Sequence, residues 1–152
     1  MITTCGVFVY NLDSDQLLIV HPTNSSFIKW SIPKGELEKG EFPHKRALIE
    51  LYEETNLDFK HLFVESLGTV VYEKNKNKQL MGFSLLIRTY FLKGRVLGCN
   101  SMVDNDFPEI DGFAWVSLEM AEKFLHESQV KLLPKLRENI EYYSILHKQG
   151  NE

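Results

Sequence analysis

The chain has 152 residues, enough for one domain and too few for a second full core. Its 43% apolar and 25% charged residues exclude wholesale disorder. A net charge of −4 excludes a surface built on many contacts to duplex nucleic acid, but not a small phosphorylated substrate held through metal. The opening MITTCGVFVYNLDSDQLLIV carries no basic leader and no long apolar run, which predicts neither a signal peptide nor a membrane anchor. Cys5 and Cys99 show no metal-type spacing and read as two reduced thiols of a cytoplasmic protein.

In chain order, TTCGVFVY and QLLIVHP are β-branched and apolar, and NLDSD between them supplies turn chemistry, so they predict a hairpin. TNSSFIK reads as a polar loop leading into WSIP, a short predicted strand. From Pro43 the period becomes helical, with Ala47, Leu48, Leu51 and Thr55 recurring on one face. Pro43 suits a first helical position, and Asn56 suits the left-handed residue that closes a helix. LFVESLGTVVYE and QLMGFSLLIRTYFLKG are two further strands joined by KNKNK, and DGFAWVSL is another after a polar stretch. Ser117 opens a helix with Glu119 and Met120 in its first turn. The last segment, QVKLLPKLRENIEYYSILHKQ, is helical with Pro134 at its effective start or at a kink. Strands on both sides of a helix, followed by more helix, predict a single α/β domain with a mixed sheet over residues 1–152.

The predicted helix carries Glu50, Glu53 and Glu54, and the loop before it has Gly35 and Gly40 bracketing ELEK. At about 100° per residue, with Glu50 at zero, Glu54 lies near about +40° and Glu53 near about −60°. The three carboxylates therefore share one arc, away from Leu48 and Leu51. Two readings fit this arc. A solvated face tolerates the few tenths of a kcal/mol that such like-charge pairs cost. A magnesium site wants hard oxygen ligands beside substrate phosphates, and clustered carboxylates with a loop carbonyl provide them.

GELEKGEFPHKRALIELYEETNL, residues 35–57, resembles the Nudix box. Gly35, Glu41, Glu50, Leu51, Glu53, Glu54 and Leu57 fall on that pattern's defined positions in register. The preceding strands, WSIPKG and the later FPEIDGFAWVSLEMA also look like the family, so the resemblance covers most of the chain. Two positions depart from the box: Ile49 stands where it has arginine, and Asn56 where it has glycine. Asn is the next most tolerant residue at a left-handed helix end. Ile49 cannot make the ion pair expected of the arginine. Arg46, four residues before Glu50 and near about −40° on the same wheel, is the candidate for supplying that charge; a routine surface ion pair is the other reading.

The resemblance implies an α/β/α sandwich around a mixed sheet. It also implies a pyrophosphohydrolase that uses Mg²⁺ or Mn²⁺ to cleave nucleoside diphosphates joined to a further group. On that basis Glu50, Glu53 and Glu54 form the metal cluster, with the Lys34 carbonyl beside them and Glu41 as an auxiliary ligand. Glu53 is the expected general base and Glu109 a distal candidate, with simple turn residues as the alternative for Glu109 and Asp111. Phe27, Trp30, Tyr72 and Phe83 are candidates for a nucleoside clamp, each also readable as packing. Lys34 and KNKNK are candidates for attracting phosphates, with a solvated hairpin tip as the other reading of KNKNK. Structural roles are expected for His21, His44, His61, His126 and His147. The substrates implied are dinucleoside polyphosphates, ADP-ribose or related adenine conjugates such as FAD. Alternatives are removal of 5′ phosphates or caps from RNA, and a degenerate domain that binds nucleotides without cleaving them. The expected partner is a small nucleotide, with no duplex nucleic acid and no membrane, in a monomer or homodimer.

Overall fold

β-Branched and aromatic residues fill the first strand so densely that it is buried on both faces, and this strand organises the molecule. A computed structural model describes residues 1–102 and 107–150, with side chains through 146. The elements run β1 (Ile2–Asn11), β2 (Gln16–Pro22), β3 (Lys34–Glu36), α1 (Pro43–Thr55), β4 (Glu65–Val71), β5 (Lys78–Ile87), β6 (Ile110–Val116), α2 (Leu118–Phe124), α3 (Glu127–Val130) and α4 (Leu133–Gly150). The sheet order is β4-β5-β1-β2-β6, with β3 paired to β1 off this path. β5 runs parallel to β1 along its whole length, from Ile2↔Lys78 to Asn11↔Ile87. The other edge of β1 is shared: its start pairs with β3 at Cys5↔Gly35, and its end pairs with β2 at Tyr10↔Leu17.

Alternation along β1 divides the core into two layers. Phe8 and Tyr10 point into a cluster with Ile19, Leu118, Ala121, Leu133 and Leu136, under α2 and α4. Cys5, Val7 and Val9 point the other way, with Leu18, Ala47, Leu48 and Leu51, under α1. The sheet is thus mixed, with helices on both faces, as expected of an α/β/α sandwich. Among the described residues no helix is long and apolar enough to cross a membrane.

α1 starts at Pro43 with no side-chain cap and ends at Asn56, whose φ of 66° is left-handed and whose N–H donates to Tyr52 O at 2.9 Å. The Ser117 hydroxyl accepts from Met120 N, as its position predicts. Pro134 falls in the first turn of α4, where its missing N–H breaks no helical bond. The short strand, however, is Lys34–Glu36 and not WSIP. Ser31 makes only a single bridge to Val20, the Ile32 N–H goes to Gln129 Oε1 at 3.0 Å, and Pro33 has no N–H to give. Regular pairing with β1 therefore begins one residue beyond the proline.

Candidate active site

The helical period that buries Ala47, Leu48, Leu51 and Thr55 against the sheet turns the glutamate arc toward β3. Glu50 and Glu54 are themselves buried, at 9% and 4% exposed. The Glu50 carboxyl lies directly over Gly35, where a Cβ would stand 2.1 Å from it, so only glycine leaves room. The Lys34 N–H donates to Glu54 Oε2 at 3.2 Å. The end of α1 is fastened by the segment before β6: Asn100 N donates to Glu53 O at 2.6 Å, and Asn100 Nδ2 donates to Tyr52 O at 3.0 Å.

Arg46 reaches two of the carboxylates. Its Nη1 donates to Glu50 Oε1 at 3.1 Å, its Nε donates to Glu41 Oε1 at 3.0 Å, and its Nη2 closes a second contact to Glu41 Oε2. Glu41 Oε1 also accepts from Glu38 N at 2.7 Å. Both Glu41 oxygens are thereby committed within the protein, and the Arg46 guanidinium and Glu38 amide hold its carboxyl below the usual range. Ile49, the departure from the box, is 43% exposed on the outer side of the helix.

Crowding dominates the electrostatics. Burial, then the negative charges of Glu50 and Glu109, push the Glu54 carboxyl up to about 9 against the opposing Lys34. Burial, then the charge of Glu53, raises Glu50 against the pull of Arg46. Glu109 is thus close enough for its charge to reach Glu54; its Oε2 accepts from Ser101 Oγ at 2.8 Å. Packed carboxylates that resist ionising together are oxygen donors short of positive charge, which matches a hard divalent cation. Among the described residues no three acidic, His or Cys side chains converge on one metal position. The donor set therefore fits such a cation by chemistry and crowding, not as a closed cage.

A cleft of about 550 Å³ opens beside Lys34. Trp30 and Tyr72 line it with Ile28, Lys29, Lys78 and His126. The His126 ring packs on Tyr72 at 5.4 Å between centroids, and Lys78 Nζ lies 5.0 Å from the Tyr72 centroid. Lys78 is the last lysine of KNKNK, so one of those lysines does face a cleft. His126 also caps α3 by accepting from Ser128 N at 3.1 Å, and burial lowers its pKa.

The structure brings Lys34, Trp30 and Tyr72 together, but not the other two aromatic candidates. Phe83 is 6% exposed in the core beneath α1, because the alternation of β5 turns it there with Met81 and Leu85. Phe27 is 82% exposed, and it is its carbonyl that accepts from Trp30 Nε1 at 2.9 Å. His21 has the structural role expected of it: its Nδ1 meets Asp111 Oδ1 at 2.5 Å and its Nε2 meets Ser26 O at 2.9 Å. No local pattern gives that contact, since Asp111 comes from β6. His126 and Gln129 have the same origin: α3 folds back over the cleft from far along the chain.

A family model for the NUDIX domain matches residues 2–136, and the chain belongs to the NUDIX family. With the box glutamates in place, it is a hydrolase acting on pyrophosphate bonds. Among curated proteins it is similar to an RNA pyrophosphohydrolase of Pelagibacter ubique, 26% identical over 143 residues that cover 89% of this chain and 88% of that protein. Among solved structures it shares its fold with a Caenorhabditis elegans Ap4A hydrolase in a binary complex, at a TM-score of 0.71 and 20% identity over 92% of this chain and 98% of that one. The NUDIX domain of Shewanella oneidensis NrtR complexed with ADP ribose aligns at a TM-score of 0.68 and 17% identity, over 91% and 87% of the two chains.

Proposed function

We propose that this chain is a Mg²⁺- or Mn²⁺-dependent pyrophosphohydrolase of nucleotides carrying a phosphoanhydride bridge, dinucleoside polyphosphates first, then ADP-ribose and adenine conjugates such as FAD. The observation that carries this reading is the junction at Lys34. Trp30, Tyr72, Lys34 and Lys78 line a cleft, and the Lys34 amide leads straight to Glu54 in the glutamate cluster. Aromatic faces suit a base, lysines suit phosphates, and the carboxylates beyond them suit the cation.

Glu50, Glu53 and Glu54 would hold the metal, with the Lys34 carbonyl beside them. Glu41, locked to Arg46, acts by orienting Glu50. When bound, the cation neutralises the pyrophosphate and lowers the pKa of an attacking water. Glu50 is tied to Arg46 and Glu54 to the Lys34 amide, which leaves Glu53 as our choice to accept the water's proton. Glu109, across the cluster, is the second candidate. The domain fits a monomer or homodimer acting on a small nucleotide.

A second reading, removal of pyrophosphate from RNA 5′ ends, draws support from the curated relative of that name. A binder without activity is the third. Hydrolysis of diadenosine tetraphosphate, ADP-ribose, FAD and triphosphorylated RNA, with and without Mg²⁺ or Mn²⁺, separates them. Metal-dependent cleavage reduced about 10²- to 10⁴-fold in Glu53→Gln is expected. Preference for the RNA selects the second reading, and binding without cleavage of any substrate selects the third.

A further inference from the structure

The glutamate arc has a cleft on each side. The one described above adjoins Glu54 through Lys34. The other, of about 610 Å³, lies on the opposite flank of α1 and is lined by Glu53 with Lys45, Leu48, Ile49, Tyr52, Lys60 and His61. We propose that this second cleft is a subsite for the distal nucleoside of a two-ended nucleotide, so that the polyphosphate bridge crosses the glutamates between two base sites. The inference rests on the pyrophosphohydrolase reading and names its substrate class.

The order of side chains around α1 supports it. Stepping at about 100° per residue, one passes Glu54, Glu50, Arg46, Glu53, Ile49, Lys45 and Tyr52 in turn. The carboxylates thus stand between the Lys34 side and the Ile49 side, and Glu53 belongs both to the cluster and to the second cleft. Ile49 and Tyr52 are 43% and 45% exposed, leaving apolar and aromatic surface open to solvent beside a charged site. The volume is within the range of small-molecule pockets, and the apolar lining with a few polar groups is their usual chemistry. Charge follows the same division. Lys45 supplies a cation, Lys60 and Asp58 offset each other at 3.7 Å, and the remaining acid, Glu53, is at the catalytic end. A ring to stack on with a lysine beside it suits a nucleoside phosphate better than a neutral apolar ligand. The position where the box has arginine is thereby put to use: an arginine at 49 would fill this surface with charge.

Hydrolysis adds one water across one phosphoanhydride bond and releases two mononucleotides from such a substrate. The test compares diadenosine tetraphosphate with adenosine 5′-tetraphosphate, which lacks the second nucleoside, at fixed Mg²⁺. For the unaltered chain we expect KM about tenfold lower for the two-ended nucleotide, the loss of one base–aromatic stack. Tyr52→Ala should raise that KM about tenfold more than the KM for adenosine tetraphosphate, and Tyr52→Phe should restore it. Tyr52 is exposed, so thermal unfolding of the two variants serves only to verify the fold. Equal KM values in the unaltered chain, or equal effects of Tyr52→Ala on both, overturn the subsite. A dimer that dissociates on Tyr52→Ala, with the KM ratio unchanged, assigns the cleft to a second copy of the chain and overturns it as well. Hydrolysis of neither nucleotide, with ADP-ribose, FAD or triphosphorylated RNA cleaved instead, overturns dinucleoside polyphosphates as the substrate and this inference with it.

Discussion

Gly35 and Glu50 are in contact across the β3–α1 junction, so closely that the carboxyl occupies the space a side chain at 35 would need. The glycine is required here for what it lacks, since nothing in its backbone is left-handed. Gly35→Ala must displace Glu50, and a shift of about 1 Å in a reacting geometry costs about a hundredfold in rate. We expect kcat to fall by about that factor, with the thermal midpoint changed far less. Unchanged kcat in a folded variant would show that Glu50 need not stay where it is.

Arg46 bridges Glu41 and Glu50 with three donors. Arg46→Ala removes a buried carboxylate's partner, and the apparent Mg²⁺ affinity should weaken about 10- to 100-fold, as for other groups that orient metal ligands. Arg46→Lys should recover little, because an ammonium cannot serve both carboxylates at once. Lys39, exposed in the loop, is the control, and Lys39→Ala should titrate with Mg²⁺ like the unaltered chain. Matching titrations for the two alanine variants would reduce Arg46 to a surface ion pair.

How legible this was in the sequence depended on distance along the chain. Pro43, Asn56 and the Ala47, Leu48, Leu51, Thr55 stripe are local signals, and α1 has the bounds they imply. The glutamate arc follows from helical geometry alone, as does the reach of Arg46 to Glu50. The strand at WSIP was misplaced because Gln129, far downstream, takes the Ile32 N–H that a strand would use. Phe83 could not be told from a clamp residue, since aromatic identity does not reveal which face of β5 is covered. The second cleft was invisible for the same reason: it exists only where the turn carrying Lys60 and His61 folds against the outer side of α1.

His21 links β2, β6 and the loop that carries Trp30. Its two ring nitrogens face a carboxylate oxygen and a carbonyl oxygen, both acceptors, so the doubly protonated ring satisfies both at once. The Asp111 bond, then the Ser26 carbonyl, raises its pKa above 6.5. The sign follows: the stabilisation is fully present below about 6.5 and is lost as pH rises through the raised value. The Trp30 ring packs edge-on at 5.2 Å from His21, so losing the bond to Ser26 loosens one wall of the cleft that Trp30 and Tyr72 line. KM should therefore climb as pH rises through that raised value in the unaltered chain, and His21→Gln should give a flat, higher KM. A KM profile identical in the two proteins would dismiss the link.

Glu54 gives the opposite kind of handle, because its partners are other carboxylates. Its folded-state pKa of about 9 is well above the 4.5 of a free glutamate, so the folded chain holds this proton more tightly than the unfolded one. Without metal, stability is fully present below about 4.5 and falls as pH rises through about 9. A divalent cation held by these carboxylates would replace the proton, relieve the repulsion among Glu50, Glu54 and Glu109, and bind better as the competing proton leaves. Thermal unfolding should show a midpoint that declines from pH 6 to pH 8.5 without metal, and a gain on adding Mg²⁺ that grows over the same interval, by about 5 °C. Glu54→Gln keeps the shape and removes the charge, so its metal-free midpoint should decline with pH clearly less than that of the unaltered chain, through what His21 and Glu50 still contribute, and its gain from Mg²⁺ should be small. If the unaltered chain and Glu54→Gln respond to pH and Mg²⁺ in parallel, the cluster does not take its cation through Glu54.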